Sequence, residues 1–317
     1  MTTALPDLFI ERLRRIVPPE KWDAVWQALH APKRAVGFRL NPLRLSEDGV
    51  SPIFDWFAEN RIDTTPLSGL FQGFSAPFEH RTALSHSPWS ENGQLWLQNP
   101  GSQWIGQLVD ALPGMEVLDL AAAPGSKTTQ LAALMENTGY LAAVEPIRGR
   151  YFRLKENLKR MGVENVRTFM ADGRSIGRKV PGRFDRVLLD APCSSEGRMH
   201  ALEPESLAHW SPRKIREQSR KQKGLILSAW QALKPGGVLT YATCSFAPEE
   251  NERIIAHLLK KAPEAELLPI ELPFDNWQPG LTEWDGRALP EALRHARRIL
   301  PDGLFDGFFV ARVRKPG

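Results

Sequence analysis

Short apolar runs alternate with amphipathic segments through most of the chain. Five runs have strand length, at residues 115–120, 140–144, 166–169, 184–189 and 238–243. The intervening segments have helical spacing. The apolar faces of two of these helices are Tyr151, Leu154, Leu158 and Met161, and Leu225, Ile226, Ala229, Trp230 and Leu233. Repeated strand and helix of this length predicts an α/β fold with a mostly parallel sheet, whose ligands lie beyond the carboxyl ends of the strands.

The first part of the chain has a different pattern. Helical spacing at residues 8–13 and 22–26 is followed by a strand-like run at 36–40, and proline and glycine are then frequent up to Pro77. This pattern predicts a small N-terminal α+β domain that leads into an irregular connector. A chain of 317 residues is long enough for two domains. We place the first at residues 1–92 and the α/β domain at residues 93–317.

The net charge is only +4, but the basic residues are concentrated in two runs. Such runs are usually solvated helix faces, and beside a site that acts on nucleic acid they indicate contact with phosphates. The first run comprises Arg148, Arg150, Arg153, Lys155, Lys159 and Arg160, and the second comprises Arg213, Lys214, Arg216, Arg220, Lys221 and Lys223.

Membrane and secretory signals are absent from the sequence. No run approaches the roughly twenty apolar residues of a membrane span. Residues 1–7 do not form a secretory signal. We therefore expect a cytoplasmic protein that does not contact a membrane.

A turn of small residues after the first strand of the α/β domain indicates a cofactor site. Small side chains let a ligand approach the backbone, and the amides at the start of the next helix favour a negatively charged group. The turn lacks the G-x-G-x-x-G pattern of dinucleotide sites, and it does not match the Walker pattern, so a bare phosphate site is the weaker interpretation. The turn and the start of the helix comprise Ala121, Ala122, Ala123, Pro124, Gly125, Ser126 and Lys127.

Two carboxylates follow the next two predicted strands. Glu145 lies twenty residues after Gly125, an offset at which an acid commonly accepts hydrogen bonds from ribose hydroxyls. Asp172 follows the third strand, where it could accept a hydrogen bond from an adenine amino group. Each acid alone could be an ordinary helix-capping or turn residue. Their order along alternating strands and helices favours a nucleotide-like cofactor.

The chain has two cysteines, and both follow predicted strands. Cys193 lies three residues after Asp190, and Cys244 directly follows the last of the five runs. A thiolate is a strong nucleophile at neutral pH, and the Asp190 carboxylate could accept or donate a proton beside it. Neighbouring strands would place both thiols at one crevice. A disulfide, a metal site and inert buried thiols are the alternatives. The seven histidines are not at ligand spacing, so we expect no metal site.

Several motifs together resemble those of the Sun family of RNA cytosine-5 methyltransferases, which use S-adenosyl-L-methionine. The resemblance covers nearly the whole chain, and the two cysteine motifs in this order are its most specific part. Ala121 and Ser126 depart from the family pattern, which often has Cys and Gly there, and Ser126 could weaken cofactor binding. The matching segments are residues 39–43, 98–102, 119–128, 190–194, 243–245, 249–252 and 306–311.

The resemblance implies a reaction mechanism and assigns roles to three residues. Cys244 would attack carbon 6 of cytosine, Asp190 would contact ring nitrogen 3, and Cys193 would serve the release step. The chemistry of the residues does not rank the two thiols, because DNA cytosine methyltransferases use the cysteine of the Pro-Cys motif as nucleophile. The resemblance alone places the nucleophile at Cys244.

The resemblance also implies the fold and the binding residues. It predicts a class I, Rossmann-like methyltransferase domain with a mostly parallel seven-stranded sheet, and an N-terminal domain that helps to hold RNA. Residues expected to bind the cofactor are Ala121, Ala122, Ala123, Pro124, Gly125, Ser126, Lys127, Glu145, Arg150, Asp172 and Asp190. Residues expected to contact RNA are Arg39, Asn41, Arg213, Lys214 and Arg216.

Two other classes of function remain open at this point. The chain could be a catalytically silent RNA-binding factor for ribosome assembly, although it retains Asp190, Cys193 and Cys244 together. It could also methylate a small molecule or another base. We expect a monomer that acts on ribosomal RNA, with transfer RNA as the alternative substrate.

Overall fold

The computed structural model describes residues 5–31, 34–208 and 210–317. Residues 1–4, part of the opening segment in which no secretory signal was found, lie outside the described residues, as do residues 32, 33 and 209.

The N-terminal part combines short helices with a small antiparallel sheet. Its helices are α1 (Asp7–Ile16), α2 (Pro19–His30), α3 (Ser51–Glu59), α4 (Arg81–Ser85) and α5 (Pro88–Glu91). Its strands are β1 (Val36–Leu40), β2 (Thr65–Pro66), β3 (Gly73–Ala76) and β4 (Leu95–Leu97), which lie in the order β2-β3-β1-β4. The helical spacing predicted for α1 and α2 and the strand β1 are confirmed. Strand β4 pairs with β1 although it falls after the predicted boundary at residue 92.

The prediction of an irregular connector up to Pro77 is wrong. Helix α3 and strands β2 and β3 occupy much of that segment, and β3 pairs with β1 along four residues. Ile53 and Phe57, one helical turn apart, bury the inner face of α3, and the Phe57 ring packs against Phe38 of β1. The proline and glycine content hid this apolar spacing.

The larger part is a sheet with helices on both faces. Its helices are α6 (Pro100–Leu108), α7 (Ser126–Leu134), α8 (Arg148–Arg160), α9 (Ile176–Lys179), α10 (Pro204–Leu207), α11 (Pro212–Ala232) and α12 (Glu252–Lys261). Its strands are β5 (Glu116–Asp119), β6 (Tyr140–Val144), β7 (Val166–Phe169), β8 (Phe184–Asp190), β9 (Leu233–Thr243), β10 (Glu266–Leu268), β11 (Trp277–Pro279), β14 (Arg297–Ile299) and β15 (Phe308–Arg314), with β12 (Glu283–Trp284) and β13 (Arg287–Ala288) as a separate hairpin.

Among the described residues, this sheet holds nine strands in the order β11-β14-β15-β9-β8-β5-β6-β7, with β10 also paired to β15. The pairs among β5, β6, β7, β8 and β9 are parallel, so the five predicted apolar runs form the parallel core. The predicted α/β fold with a parallel core is confirmed. The sheet is wider than the seven strands expected, because the short strands β10 and β11 pair along its antiparallel edge.

Neighbouring residues of the central strands face opposite layers of core. Leu118 of β5 belongs to a cluster with α11 and α12, whereas Val117 belongs to a cluster with α6 and α7. Leu189 and Leu188 of β8 divide in the same way. Burial on both faces is what makes these strands continuous apolar runs in the sequence.

Candidate active site

The carboxyl ends of β5, β8 and β9 bring the predicted site residues to one edge of the sheet. In the strand register, Asp119 lies opposite Leu188, and Asp190 lies opposite Ala242. Cys193 and Cys244 follow within three residues of those pairs. The prediction that the two thiols face one crevice is confirmed by the contact between their sulfur atoms, 3.4 Å apart.

The small-residue turn between β5 and α7 is held by hydrogen bonds from its neighbours. The Ala122 amide donates to Val144, and the side chains of Arg150 and Asn157 donate to the carbonyl oxygens of Ala123 and Pro124. Gly125 has φ of 104°, a left-handed conformation that strains any other residue type. The turn is therefore fixed in shape before any ligand arrives.

Asp119 lies beneath this turn and is almost completely buried. Its carboxylate accepts a hydrogen bond from the Thr128 hydroxyl at 2.7 Å. Burial raises the pKa of Asp119 to about 6, against the opposing effect of that hydrogen bond. In the sequence this residue is marked only as part of the motif at residues 119–128. Its position as the last residue of the strand was the signal that could have marked it as a site residue.

Lys127 is not the solvated lysine that its place in the first turn of a helix allows. Its side chain is 6% exposed, and its Nζ donates to Asp190 Oδ2 at 2.7 Å. Both residues line a small pocket with the turn residues from Ala121 to Pro124. The ion pair joins the cofactor turn to the segment that carries Cys193.

The two predicted cofactor carboxylates differ in their surroundings. Glu145 is buried, accepts a hydrogen bond from the Ile147 amide and lies 3.5 Å from the Arg150 guanidinium. Asp172 is exposed and pairs with Arg174 at 2.5 Å, and this hydrogen bond holds the pKa of Asp172 below its ordinary value. Glu145 directly follows β6, which pairs with β5, and Asp172 lies three residues after β7, which pairs with β6.

The two thiols are free and half-buried, and they differ in acidity. The hydrogen bond from Cys193, followed by the charge of Arg198, lowers the pKa of Cys244 to about 6, although burial opposes this. The same hydrogen bond and burial raise the pKa of Cys193 well above its ordinary value. These opposite shifts favour a pair in which Cys193 donates its hydrogen to the Cys244 sulfur.

Arg198 is a site residue that the sequence analysis missed. The charge of Cys244 raises the pKa of the Arg198 guanidinium, which is the electrostatic counterpart of the effect on the thiol. Its loop is attached to the segment that follows β9, because the Gly197 amide donates to the Cys244 carbonyl at 2.9 Å. Its distance of five residues from Cys193 gave no periodic or motif signal.

Glu250 is a second missed residue, and it organises the loop after Cys193. Its buried carboxylate accepts hydrogen bonds from the amide and the hydroxyl of Ser194. Burial raises the pKa of Glu250 to about 7. Glu196 makes the reciprocal contact from the loop after Cys193, since it accepts hydrogen bonds from the Ser245 hydroxyl and the Phe246 amide. The two carboxylates hold the cysteine loops against each other. The quoted motif at residues 249–252 contained Glu250 without assigning it a role.

The prediction that Arg39 and Asn41 contact RNA is wrong. Arg39 is 2% exposed and donates to Gln98 and to Thr129 of α7, and burial lowers the pKa of its guanidinium to about 9. The amide of Asn41 is fully buried, and it donates to the carbonyls of Gly93 and Met161. Both side chains bind the N-terminal part to the larger part instead of facing solvent.

The second basic run lies at the start of α11. Arg213 and Arg216 are exposed and Lys214 is half-buried, so this surface is open to a ligand. In the first run, Arg160 is occupied within the protein, because it donates to Ser90 and stacks over the Trp96 ring. Within the described residues we find no helix long and apolar enough to cross a membrane and no cluster of three or more possible metal ligands.

Two curated relatives are named ribosomal RNA small subunit methyltransferase F, one from Cronobacter sakazakii and one from Escherichia coli. Both are 36% identical to this chain, over 324 and 320 residues, and each alignment covers 99% of this chain and 64% of the relative. The chain thus spans less than two thirds of the length of these relatives.

Solved structures show the same architecture. A methyltransferase homolog protein from Pyrococcus horikoshii is 31% identical, with a TM-score of 0.77, and the match covers 98% of this chain and 100% of that one. NSun6 from Pyrococcus horikoshii has a TM-score of 0.81 over 99% of both chains at 21% identity, which supports the fold alone.

The family model described as 16S rRNA methyltransferase RsmB/F matches residues 107–314. This range contains the turn, both cysteine loops and the parallel core described above. The resemblance to the Sun family is confirmed, and the chain belongs to the RsmB/F family of 16S rRNA methyltransferases.

Proposed function

We propose that this chain transfers a methyl group from S-adenosyl-L-methionine to carbon 5 of a cytosine in RNA, through a covalent adduct with Cys244. The observation that carries the proposal is the contact between the Cys193 and Cys244 sulfur atoms beside Asp190. Family membership and the names of the two curated relatives support small-subunit ribosomal RNA as the substrate. Cytoplasmic location and a monomeric state stay predictions.

The turn at residues 121–127 fits a nucleotide-like cofactor. Its small side chains leave the backbone open to a ligand. Exposed apolar side chains lie two residues from each carboxylate, with Ile147 55% exposed after Glu145 and Met170 54% exposed before Asp172. Polar partners for a ribose and an amino group therefore occur beside apolar surface that suits a base. When bound, S-adenosyl-L-methionine supplies an electrophilic methyl group.

Cys244 is the better nucleophile of the two thiols. Carbon 5 of cytosine is weakly nucleophilic, so a thiolate must first add to carbon 6 and turn the ring into an enamine. The pKa of Cys244, lowered to about 6 by Cys193 and Arg198, keeps this sulfur ionised at neutral pH. This electrostatic difference supports the ranking that rested on family resemblance.

Cys193 is the group we assign to the release step. In the resting pair, Cys193 keeps its proton because the neighbouring thiolate and burial raise its pKa. A Cys244 sulfur bonded to carbon no longer carries that charge, so Cys193 can then lose its proton to solvent. The Cys193 thiolate removes the proton from carbon 5, the bond between sulfur and carbon 6 breaks, and Cys244 leaves as a thiolate.

Asp190 lies between the cofactor turn and the thiols, where we assign it contact with ring nitrogen 3 of the base. Attack at carbon 6 moves an electron pair onto nitrogen 3, and a proton passed from the Lys127 ammonium through Asp190 to that atom neutralises the negative charge. Before the attack, the Lys127 ammonium, 2.7 Å from the Asp190 carboxylate, keeps a compensating positive charge at this position. Arg213, Lys214 and Arg216 supply an exposed basic surface for RNA phosphates.

The test combines methyl transfer with site mapping. Purified protein is incubated with radiolabelled S-adenosyl-L-methionine and a 16S rRNA transcript, and bisulfite sequencing compares RNA from cells with and without the gene. The expected result is label in the transcript and one cytosine protected from conversion only when the gene is present. Label or protection in transfer RNA instead would change the substrate. Absence of both from every RNA would reject the enzyme in favour of a silent assembly factor.

A further inference from the structure

A second cavity lies between the two parts of the molecule, apart from the pocket at the cofactor turn. Its volume is about 470 Å³, within the range of small-ligand sites. Arg34, Gly37 and Arg81 line it from the N-terminal part, and Arg198, His200 and Asp306 line it from the larger part. We call this cavity the interdomain cleft.

Two hydrogen bonds and an ion pair join the two sides of the interdomain cleft. The Ala35 amide donates to Gly303, and the Asn99 side chain donates to the Leu304 carbonyl. Arg34 and Asp306 form an ion pair at 2.5 Å across the same boundary. These contacts hold the two walls at a fixed separation, so the cleft is preformed.

The interdomain cleft adjoins the catalytic thiol. Gly197 donates its amide hydrogen to the Cys244 carbonyl and accepts a hydrogen bond from the Gly307 amide. The next residue, Arg198, lines the cleft. A wall of the cleft is therefore one residue away from a direct bond to the backbone of Cys244.

The charge of the interdomain cleft suits an anion. Arg34 is neutralised by Asp306, but the side chains of Arg81 and Arg198 have no hydrogen bond or ion pair with any described residue. Both are exposed. Glu203, also exposed, adds one negative charge against these two positive ones. Guanidinium groups that make no hydrogen bonds within the protein are well matched to phosphate oxygens, although Arg198 also feels the charges of Cys244 and Asp306.

The lining of the interdomain cleft also excludes two possible occupants. It contains neither cysteine and not Asp190, so it cannot be where the reacting base meets the thiols. It contains none of the residues at 121–127, so it is separate from the cofactor turn. An anionic group bound beside Cys244 but outside both sites is what the next nucleotide of an RNA strand would supply.

We propose that the interdomain cleft binds the nucleotide adjacent to the target cytosine, with Arg81 and Arg198 holding its phosphate. This inference rests on the proposed function, because it places an RNA strand across the thiols. The cleft then selects an RNA by the shape and the phosphate position of the nucleotide beside the target cytosine. Arg198 has two roles, because it lowers the pKa of Cys244 and binds the phosphate of the RNA strand.

The first test measures RNA affinity without methyl transfer. Arg81→Gln is compared with Arg167→Gln, a matched control because Arg167 is exposed on β7 at the far edge of the sheet, with no side-chain partner among the residues described. Filter binding to a 16S rRNA transcript should weaken about tenfold for Arg81→Gln and stay unchanged for Arg167→Gln. Equal affinity of Arg81→Gln and wild type would overturn the proposal. Unchanged melting and cofactor affinity would verify folding.

The second test locates the contact. Oligoribonucleotides spanning the mapped cytosine carry one uncharged methylphosphonate at each linkage in turn. The loss of RNA affinity caused by Arg81→Gln should disappear for the RNA whose modified linkage adjoins the target cytosine. The loss of affinity should persist for the RNAs modified at other linkages. An equal loss with every modified RNA would overturn the assignment to the adjacent nucleotide. If wild type binds the 16S rRNA transcript and Arg81→Gln weakens that binding in the first test, but no RNA is methylated, the proposed function fails while RNA binding by the cleft stands.

Discussion

Lys127 Nζ lies 2.7 Å from Asp190 Oδ2, and this ion pair connects the helix after the cofactor turn to the strand that leads to Cys193. The lysine is buried and the aspartate is about one-third exposed, so the carboxylate still faces the crevice. A ligand bound at the turn at residues 121–127 therefore lies next to a carboxylate that also borders the segment of Cys193.

The first prediction separates the two cysteines by their place in the order of bond making and breaking. Cys244→Ala should abolish methylation and any covalent species, because no thiolate is left to add to carbon 6. Cys193→Ala should allow the attack and stall release, so the protein should migrate with RNA attached on a denaturing gel. Reversed phenotypes would move the nucleophile to Cys193. Full methylation by both variants would exclude covalent catalysis.

The second prediction concerns the pH at which Cys244 reacts. Its pKa of about 6 means that the thiolate fraction rises with pH through that value, not near the ordinary value of 9.0. Alkylation by iodoacetamide, followed by mass spectrometry of the Cys244 peptide, should therefore reach half its maximal rate near pH 6. Cys193→Ala removes the hydrogen bond that lowers this pKa most, and should move the midpoint upward. A midpoint near 9 in both proteins would contradict the assignment.

The third prediction concerns stability and the buried carboxylate of Glu250. Its folded pKa of about 7 lies above the ordinary value of 4.5, so the folded protein binds more protons than the unfolded chain between these values. The contribution of Glu250 to stability is present at low pH and is lost as pH rises towards 7. Glu250→Gln does not titrate. Its free energy of unfolding, relative to wild type, should rise by on the order of 3 kcal/mol between pH 4.5 and 7.

Denaturant unfolding at several pH values measures this difference. Asp119 titrates equally in both proteins, so its contribution cancels in the comparison. A constant difference between Glu250→Gln and wild type across the range would show that Glu250 has an ordinary pKa.

The fourth prediction tests Asp172 in the cofactor site. Asp172→Asn keeps an oxygen that can accept from the Arg174 amide, as Asp172 Oδ1 does at 2.9 Å, but removes the negative charge. Calorimetry with S-adenosyl-L-methionine should show affinity reduced by more than tenfold, about the 1.4 kcal/mol expected for losing a hydrogen bond to a charged group. Arg174→Gln is the control, because it retains the carboxylate. Equal affinity of Asp172→Asn and wild type would remove Asp172 from the site.

The fifth prediction concerns the basic surface at the start of α11. Replacing Arg213, Lys214 and Arg216 together by glutamine should weaken RNA binding and flatten its dependence on salt. If all three contact phosphates of a single strand, the slope of log affinity against log salt should fall by about 2. Titrations at four salt concentrations measure this slope. A slope equal to that of wild type would show that these three residues form an ordinary solvated helix face and do not contact phosphates.

The sequence alone determined the succession of strands and helices in the α/β domain and the placement of its chemical groups at strand ends. These features are local. Strands buried on both faces must be apolar runs, and the residue after such a run must lie at an edge of the sheet. Asp190, Cys193 and Cys244 were found in this way, and the parallel order of the sheet then brought them together.

The tertiary structure decided which polar residues are available for function. Arg39 and Asn41 carry polar groups suited to RNA, but their partners Thr129 and Met161 lie 90 and 120 residues away in sequence and bury them. Burial of a side chain depends on surfaces brought together by folding, which no local pattern records. The proline and glycine content of residues 41–77 predicted an irregular connector where α3 forms. Packing of Phe57 against Phe38, which is distant in sequence, stabilises that helix.

The ranking of the two thiols also required the folded molecule. By residue chemistry the two thiols were equal as nucleophiles. Their pKa values separate because folding places Cys193 and Arg198 against Cys244, 51 and 46 residues away in the chain. Electrostatic effects fall off with distance through space and not along the sequence. The sequence therefore determined where the thiols would lie, and the tertiary contacts shift their pKa values in opposite directions.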